Sequence, residues 1–220
     1  MFLDYARLAA GVGAALDLPL AGPELARHVP HATHAMERAG GSDQDRAAAY
    51  LEALFLQAGV PSHRLGEVRH CLARMHQERH LWSSVAERSA EALGRLQQAG
   101  LRRGVVSNSD GRVEQALAAA GLRKYFDVVV DSALVGVEKP DPRIFQAALK
   151  ALNVKPEEAL YVGDLYHVDV VGARAAGIEA VLLGDAVAPA ECRKARSLEE
   201  LVDQLLSGDL MVRPIPKNGG

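Results

Sequence analysis

Two aspartates five positions apart, Asp164 and Asp169, bracket the segment DLYHVD that follows an apolar run, the first directly after that run and the second at the start of the next helical pattern. Carboxylates converging at one edge form the oxygen-rich donor set that a hard divalent cation such as Mg2+ requires. Taken separately, Asp169 would be an ordinary helix N-terminal charge and Asp164 an ordinary turn residue. In GVEKPDP, Lys139 stands just before a proline-stiffened helix start. An ammonium there can balance negative charge on a carboxylate and a phosphoryl group together, although an isolated lysine would be read as a solvated surface residue. Further upstream, Ser107, Asn108, Ser109 and Asp110 follow the short apolar run GVV. They offer a hydroxyl and successive backbone N–H groups suited to phosphate oxygens, and a Ser-Asn turn is also common loop chemistry.

These residues need a scaffold that brings strand ends together. From Leu81 onward, strands alternate with helices, which is the grammar of βαβ units and a parallel α/β sheet. Residues 104–106, 127–132, 159–163 and 180–184 read as four strands, since β-branched and apolar runs bounded by turn signals favour extended chain. Between them the pattern predicts helices over 85–99, over 112–120 stopping at Gly121, after the Asp141-Pro142 start, and up to Gly177. Ser197 with Glu200 reads as a capping box opening a last helix to Leu206, and the tail MVRPIPKNGG reads as loose. Before Leu81 the chain is helical in pattern, with breaks at 18–23, 40–42 and 59–61 that predict four helices, the third opened by a Ser42/Asp45 capping box. In an open parallel sheet, ligands sit beyond the carboxyl ends of the strands, where Ser107 and Asp164 fall.

Order carries more than any single piece. VVSNSDG, then VEKPDPRIF, then YVGDLYHVDVVGARAAG, at these separations, resemble the second, third and fourth motifs of the haloacid dehalogenase (HAD) superfamily, over roughly residues 81 to 185. The resemblance implies an α/β fold: a HAD-like Rossmannoid parallel sheet with helices on both faces, plus an all-α cap. The expected organisation is a cap over 1–80, a core over 81–206 and a flexible tail over 207–220. It further implies that Ser107, with Asn108, binds the transferring phosphate and that Lys139 stabilises charge on nucleophile and phosphate. Asp164 would ligate Mg2+ with Asp169 supporting the metal site.

The family's first motif, a strand followed by DxDGT, is not visible. Asp4 follows the apolar stretch Met1 to Leu3, but Ala6 stands at the acid/base position and no Gly-Thr follows, so LDYARLAAGVG reads as the start of the first helix. The motif is then expected upstream of Met1. Omitting that central strand would leave neighbouring strands with unpaired backbone groups, so either the natural polypeptide starts earlier, which is the favoured expectation, or a rearranged sheet or partner chain fills the gap. The expected function is a Mg2+-dependent phosphohydrolase acting on a small phosphate monoester through an aspartyl-phosphate. The alternatives are a HAD-fold protein that binds a ligand or partner without catalysis and, ranked behind because of the acidic pair, a haloacid dehalogenase.

Other patterns fit less demanding readings. His28, His31 and His34 recur at threes, but Pro30 interrupts their helix and no carboxylate is spaced to join them. HQERH, residues 76 to 80, has its glutamate out of place for a zinc motif and reads as a solvated helix end. Gly11 and Gly13 lack both the preceding strand and the third glycine of a dinucleotide site, and Cys71 reads as buried packing. With 25 basic against 28 acidic residues the net charge is −3, too weak a field to recruit nucleic acid or anionic membrane. The expected partner is a small phosphorylated metabolite; oligomeric state is left open. No apolar run approaches the about 20 residues of a membrane span, no signal-peptide succession opens the chain, and two distant cysteines suit a reducing compartment, so a cytoplasmic location is expected.

Overall fold

The computed structural model describes residues 1–184, 186 and 188–210. The chain divides into two compact units, Met1–Ala86 and a second that begins at Glu87.

In the first unit, β1 (Phe2–Leu3) pairs antiparallel with β2 (Trp82–Ser84), and between them run α1 (Tyr5–Leu16), α2 (Gly22–Arg27), α3 (Val29–Arg38), α4 (Asp43–Gln57) and α5 (Leu65–Glu78). Five helices stand where the pattern predicts four, because the second splits at His28. Pro30 supplies no N–H and its ring excludes the carbonyl four residues back, so a continuous helix cannot pass through it. α4 opens with the expected reciprocal cap, Ser42 accepting from the Asp45 N–H and Asp45 accepting from the Ser42 N–H. Leu8, Val12, Leu25, Leu54, Phe55 and Val68 form the core of this unit, and Cys71 is buried among them as expected. Gly11 and Gly13 lie within α1. His76 accepts from the Leu81 N–H and His80 bonds the Trp82 carbonyl, so the pair fastens the end of α5 rather than standing free in solvent.

The second unit carries α6 (Ser89–Gln98), β3 (Gly104–Ser107), α7 (Val113–Ala119), β4 (Val128–Asp131), the single turn α8 (Ser132–Val135) and α9 (Pro142–Leu152). There follow β5 (Leu160–Gly163), a π-turn over Tyr166–Val170 leading into α10 (Val171–Ala175), β6 (Glu179–Leu183), β7 (Arg193–Ala195) and α11 (Leu198–Ser207). All four strands read from the sequence are present. β7 escapes such a reading because Arg-Lys-Ala has no strand signature; it is an edge strand, where cationic side chains discourage further pairing. α6 begins at Ser89 rather than at Val85, because Arg88 turns the chain in the left-handed region. At α11 Ser197 accepts from the Glu200 N–H, but the Glu200 carboxylate returns to the Arg196 N–H, so the expected capping box is only half formed. Ser207 ends α11 and Leu210 is buried; the rest of the expected tail, 211–220, lies outside the described residues.

The parallel strands form two ladders instead of one sheet: β3 with β4, and β5 with β6 and β7 in that order. β6 is central in its ladder, which accounts for the run Ala180, Val181, Leu182 being buried on both faces. One helical layer serves both ladders. Ile144, Phe145, Ala148 and Leu149 form a stripe on α9 that packs with Val106 of β3, Val130 of β4, Tyr161 of β5 and Leu182 of β6. On the opposite face α11 covers Val181 through Leu201 and meets α6 through Val202.

Candidate active site

Three segments of the second unit meet beyond the carboxyl ends of β3 and β5. β3 ends at Ser107 and β5 at Gly163, and the Lys139 segment is tied to both. The tie to β3 is Asn108: its side-chain carbonyl accepts from the Lys139 N–H at 2.8 Å and its amide donates to the Lys139 carbonyl at 3.1 Å. A two-point amide clamp fixes the Lys139 backbone, so Asn108, expected to touch the phosphate, spends both ends of its amide on positioning the lysine. The tie to β5 is Asp169. Its Oδ1 takes the Lys139 ammonium at 2.8 Å and the Tyr161 hydroxyl at 3.1 Å, while Oδ2 takes the N–H groups of Asp164 and Leu165 at 3.1 and 3.0 Å.

Asp169 is 2 % exposed, and a carboxylate that deep is tolerable only when paired and hydrogen-bonded. Here all four bonds are supplied, two of them by the loop that carries Asp164. The π-turn contributes: its extra residue swings the Asp169 side chain back under β5, and such turns concentrate at functional sites. Burial alone would push the Lys139 pKa down, but Tyr161 and Asp169 outweigh it and hold the lysine above its ordinary value. Burial is the main reason that the Tyr161 hydroxyl is raised as well. The lysine is therefore a fixed cation with three N–H donors, of which Asp169 and Tyr161 use two.

Asp164 differs from Asp169 in kind. Its carboxylate reaches solvent. Protein atoms crowd it and the Asp169 charge lies close by, so desolvation first and Asp169 second raise its pKa above the carboxylate norm, against the pull of Lys139.

Sequence reading missed the residues that hold the loop after β3. Asp131, 2 % exposed at the end of β4, accepts from Gly111 and Ala133 on Oδ1 and from Val113 on Oδ2. Ser132 accepts from the Ser109 N–H and donates to the Ser109 carbonyl. The signal was present in DVVVDS, where a strand-terminal carboxylate and hydroxyl are well placed to take orphan N–H groups, but a strand reading does not say which loop they reach. Asp131→Asn keeps one acceptor oxygen and turns an NH2 toward the amides, and is expected to lower stability by about 1–3 kcal/mol. Urea unfolding measures the loss, and amide exchange at Gly111 and Val113 should accelerate.

Asp4 caps α1 by accepting from the Arg7 N–H and pairs with Arg79 at 3.1 Å, as the helix-start reading expects. His28, His31 and His34 do not converge on a metal-sized cluster among the described residues.

The family model for haloacid dehalogenase-like hydrolases matches residues 10–177, about three-quarters of the chain. The chain belongs to the haloacid dehalogenase-like hydrolase family. It is 42 % identical over 99 residues to the human haloacid dehalogenase-like hydrolase domain-containing protein 3, covering 45 % of this chain and 39 % of that protein. It is 37 % identical over 145 residues to a phosphoserine phosphatase of Thermus thermophilus, covering 66 % and 56 %. The chain thus spans roughly two-fifths to just over half the length of these curated relatives. The magnesium-bound crystal structure of the HAD hydrolase YfnB from Bacillus subtilis superposes with a TM-score of 0.65 at 19 % identity, covering 91 % of this chain and 92 % of that one. That likeness establishes the HAD fold. Among the described residues no helix is long and apolar enough to cross a membrane.

Proposed function

We propose that this HAD-family chain carries the phosphate- and metal-binding half of a phosphomonoester hydrolase acting on a small phosphorylated metabolite. The observation that supports this best is the pairing of a buried, permanently charged Lys139 with an outward-facing Asp164 on a loop pinned by Asp169. Ser107 and the N–H groups after β3 donate to the phosphate oxygens. The remaining N–H of Lys139 faces developing negative charge, and Asp164 holds Mg2+ with Asp169 behind it.

The donor chemistry fits such an ion: an exposed carboxylate oxygen is a ligand type that a hard cation takes. Bound there, Mg2+ would withdraw charge from the transferring phosphoryl group. The phosphatase relatives support the substrate class. By resemblance the nucleophile is the aspartate of the first motif, and Asp4, committed to capping α1, does not supply it.

That commitment is also the specific ground for a second reading, a HAD-fold protein that binds phosphate and metal without turning over substrate. One experiment separates them: p-nitrophenyl phosphate hydrolysis with and without Mg2+, alongside thermal unfolding, for the chain and for Asp164→Ala. The hydrolase reading expects Mg2+-dependent turnover that falls about 100-fold in the variant, with a Mg2+-induced rise in Tm that the variant loses. The Tm rise without turnover selects the binding reading. Equal rates in the two proteins, with no Mg2+ effect on either, reject both.

A further inference from the structure

Tyr161 stands in β5 between Leu160 and Val162, and its ring meets Phe145 of α9 edge-on, with centroids 4.8 Å apart and planes at 79°. Phe145 is fully buried, so the contact is core packing, and a phenylalanine at position 161 would fill the same space. The hydroxyl is therefore surplus to packing. Taking it out of water costs free energy unless it is bonded.

Its shortest bonds run to the charged pair. Lys139 Nζ lies 3.3 Å from the hydroxyl oxygen and 2.8 Å from Asp169 Oδ1, and the hydroxyl lies 3.1 Å from the same Oδ1, which closes a triangle. An ammonium only donates, so Lys139 donates along both of its sides of the triangle. The one proton of Tyr161 goes to the Asp169 carboxylate, since the Val106 carbonyl, neutral and at 3.4 Å, is the weaker acceptor. The ammonium stands 5.9 Å from the ring centroid, at the outer limit of a cation–π contact, so the oxygen and not the ring face holds it.

A single bond could not do this. With Asp169 alone, the flexible stem of the lysine would keep freedom to turn about one contact. A second acceptor, carried on a ring packed against Phe145, removes that freedom while Asn108 holds the Lys139 backbone. We infer that Tyr161 is a positioning residue: its hydroxyl fixes the Lys139 ammonium so that the third N–H is already aimed when a phosphoryl oxygen arrives. The ordering cost is then met on folding and not on binding. This inference rests on the phosphate-binding reading above and requires no catalysis.

The test is titration calorimetry of inorganic phosphate into the full chain. The parent, Tyr161→Phe and Ser107→Ala are compared, with Lys139→Met alone and combined with Tyr161→Phe. Tyr161→Phe should weaken phosphate binding about tenfold, the lower end of what losing an orienting partner behind a ligand group costs. In the Lys139→Met background the same change should alter affinity by less than about twofold, because nothing remains to aim. If Lys139→Met does not fold, Lys139→Met with Asp169→Asn, which strands no buried charge, takes its place. A hydroxyl with a purely structural role would lower Tm and leave the phosphate affinity of the folded chain unchanged, and that result overturns the inference. Equal losses in the two backgrounds also overturn it. If Ser107→Ala weakens binding while Tyr161→Phe does not, the positioning role fails and the phosphate reading stands. A parent chain that binds no phosphate removes both.

Discussion

Lys139→Met is expected to lower the stability of the second unit by about 3–5 kcal/mol, the usual cost of stranding one member of a buried ion pair. The Lys139 side chain is 12 % exposed and that of Asp169 3 %, so water cannot replace the lost ammonium. Methionine matches the aliphatic stem and leaves little cavity, which isolates the electrostatic loss from a packing loss. Because folded Lys139 keeps its proton above the ordinary lysine value, its contribution is fully present below about pH 10 and is lost only as pH rises through the elevated value. The deficit should therefore be constant from about pH 6 to pH 9. Urea unfolding across that range measures it, and a pH-dependent deficit would mean that another group carries the effect. A double-mutant cycle with Asp169→Asn should return a coupling energy of about 1–3 kcal/mol; additive losses would sink the assignment of a direct pair.

Gly163→Ala should be nearly as costly, about 3–4 kcal/mol, although it adds a single methyl group. A β-carbon at Gly163 would lie 2.3 Å from Asp169 Cγ and 2.5 Å from its Oδ2. The glycine before Asp164 is thus not there for backbone freedom; its missing side chain is the space that the Asp169 carboxylate occupies. An alanine must displace a group held by four hydrogen bonds, so the cost is the overlap together with the loss of acceptor for Lys139 and for the N–H groups of Asp164 and Leu165. The reach of the damage is checkable. Thermal unfolding should show a lower Tm, and amide exchange at Asp164 and Leu165 should rise by more than tenfold. A variant with wild-type stability and unchanged exchange would show that the loop relaxes cheaply and that Asp169 is not its anchor.

Much of the scaffold is legible because local chemistry and tertiary outcome agree. The β-branched run at 128–130 has few alternatives to a strand, and Asp141 before Pro142 caps a helix wherever it is placed. Where the reading falters, a distant partner decides. Val85 to Arg88 has helical composition but is a turn, and the Trp82–Ser84 strand exists only because Phe2 and Leu3 lie beside it. β7 is extended because β6 offers it an edge, against the preference of its own residues. Among the site residues, Ser107, Lys139, Asp164 and Asp169 were visible as residue types next to strand ends. The roles of Asn108, Asp131, Ser132 and Tyr161 were not, since each acts on a segment at least eighteen positions away through a hydrogen bond that no spacing rule encodes, apart from the short steps from Asp131 to Ala133 and from Tyr161 to Asp169.

The amino-acid order by itself determined the family, the alternation of strands and helices, and the carboxylates, lysine and hydroxyl available for phosphate chemistry, because periodicity, caps and motif residues act over a few positions. Tertiary structure alone decided how those groups divide their work. Asp169 became the buried anchor and Asp164 the outward ligand, since the π-turn folds one carboxylate beneath β5 and leaves the other at its end. The parallel strands, likewise, became two ladders, an outcome set by which strands find backbone partners and not by what any strand is made of.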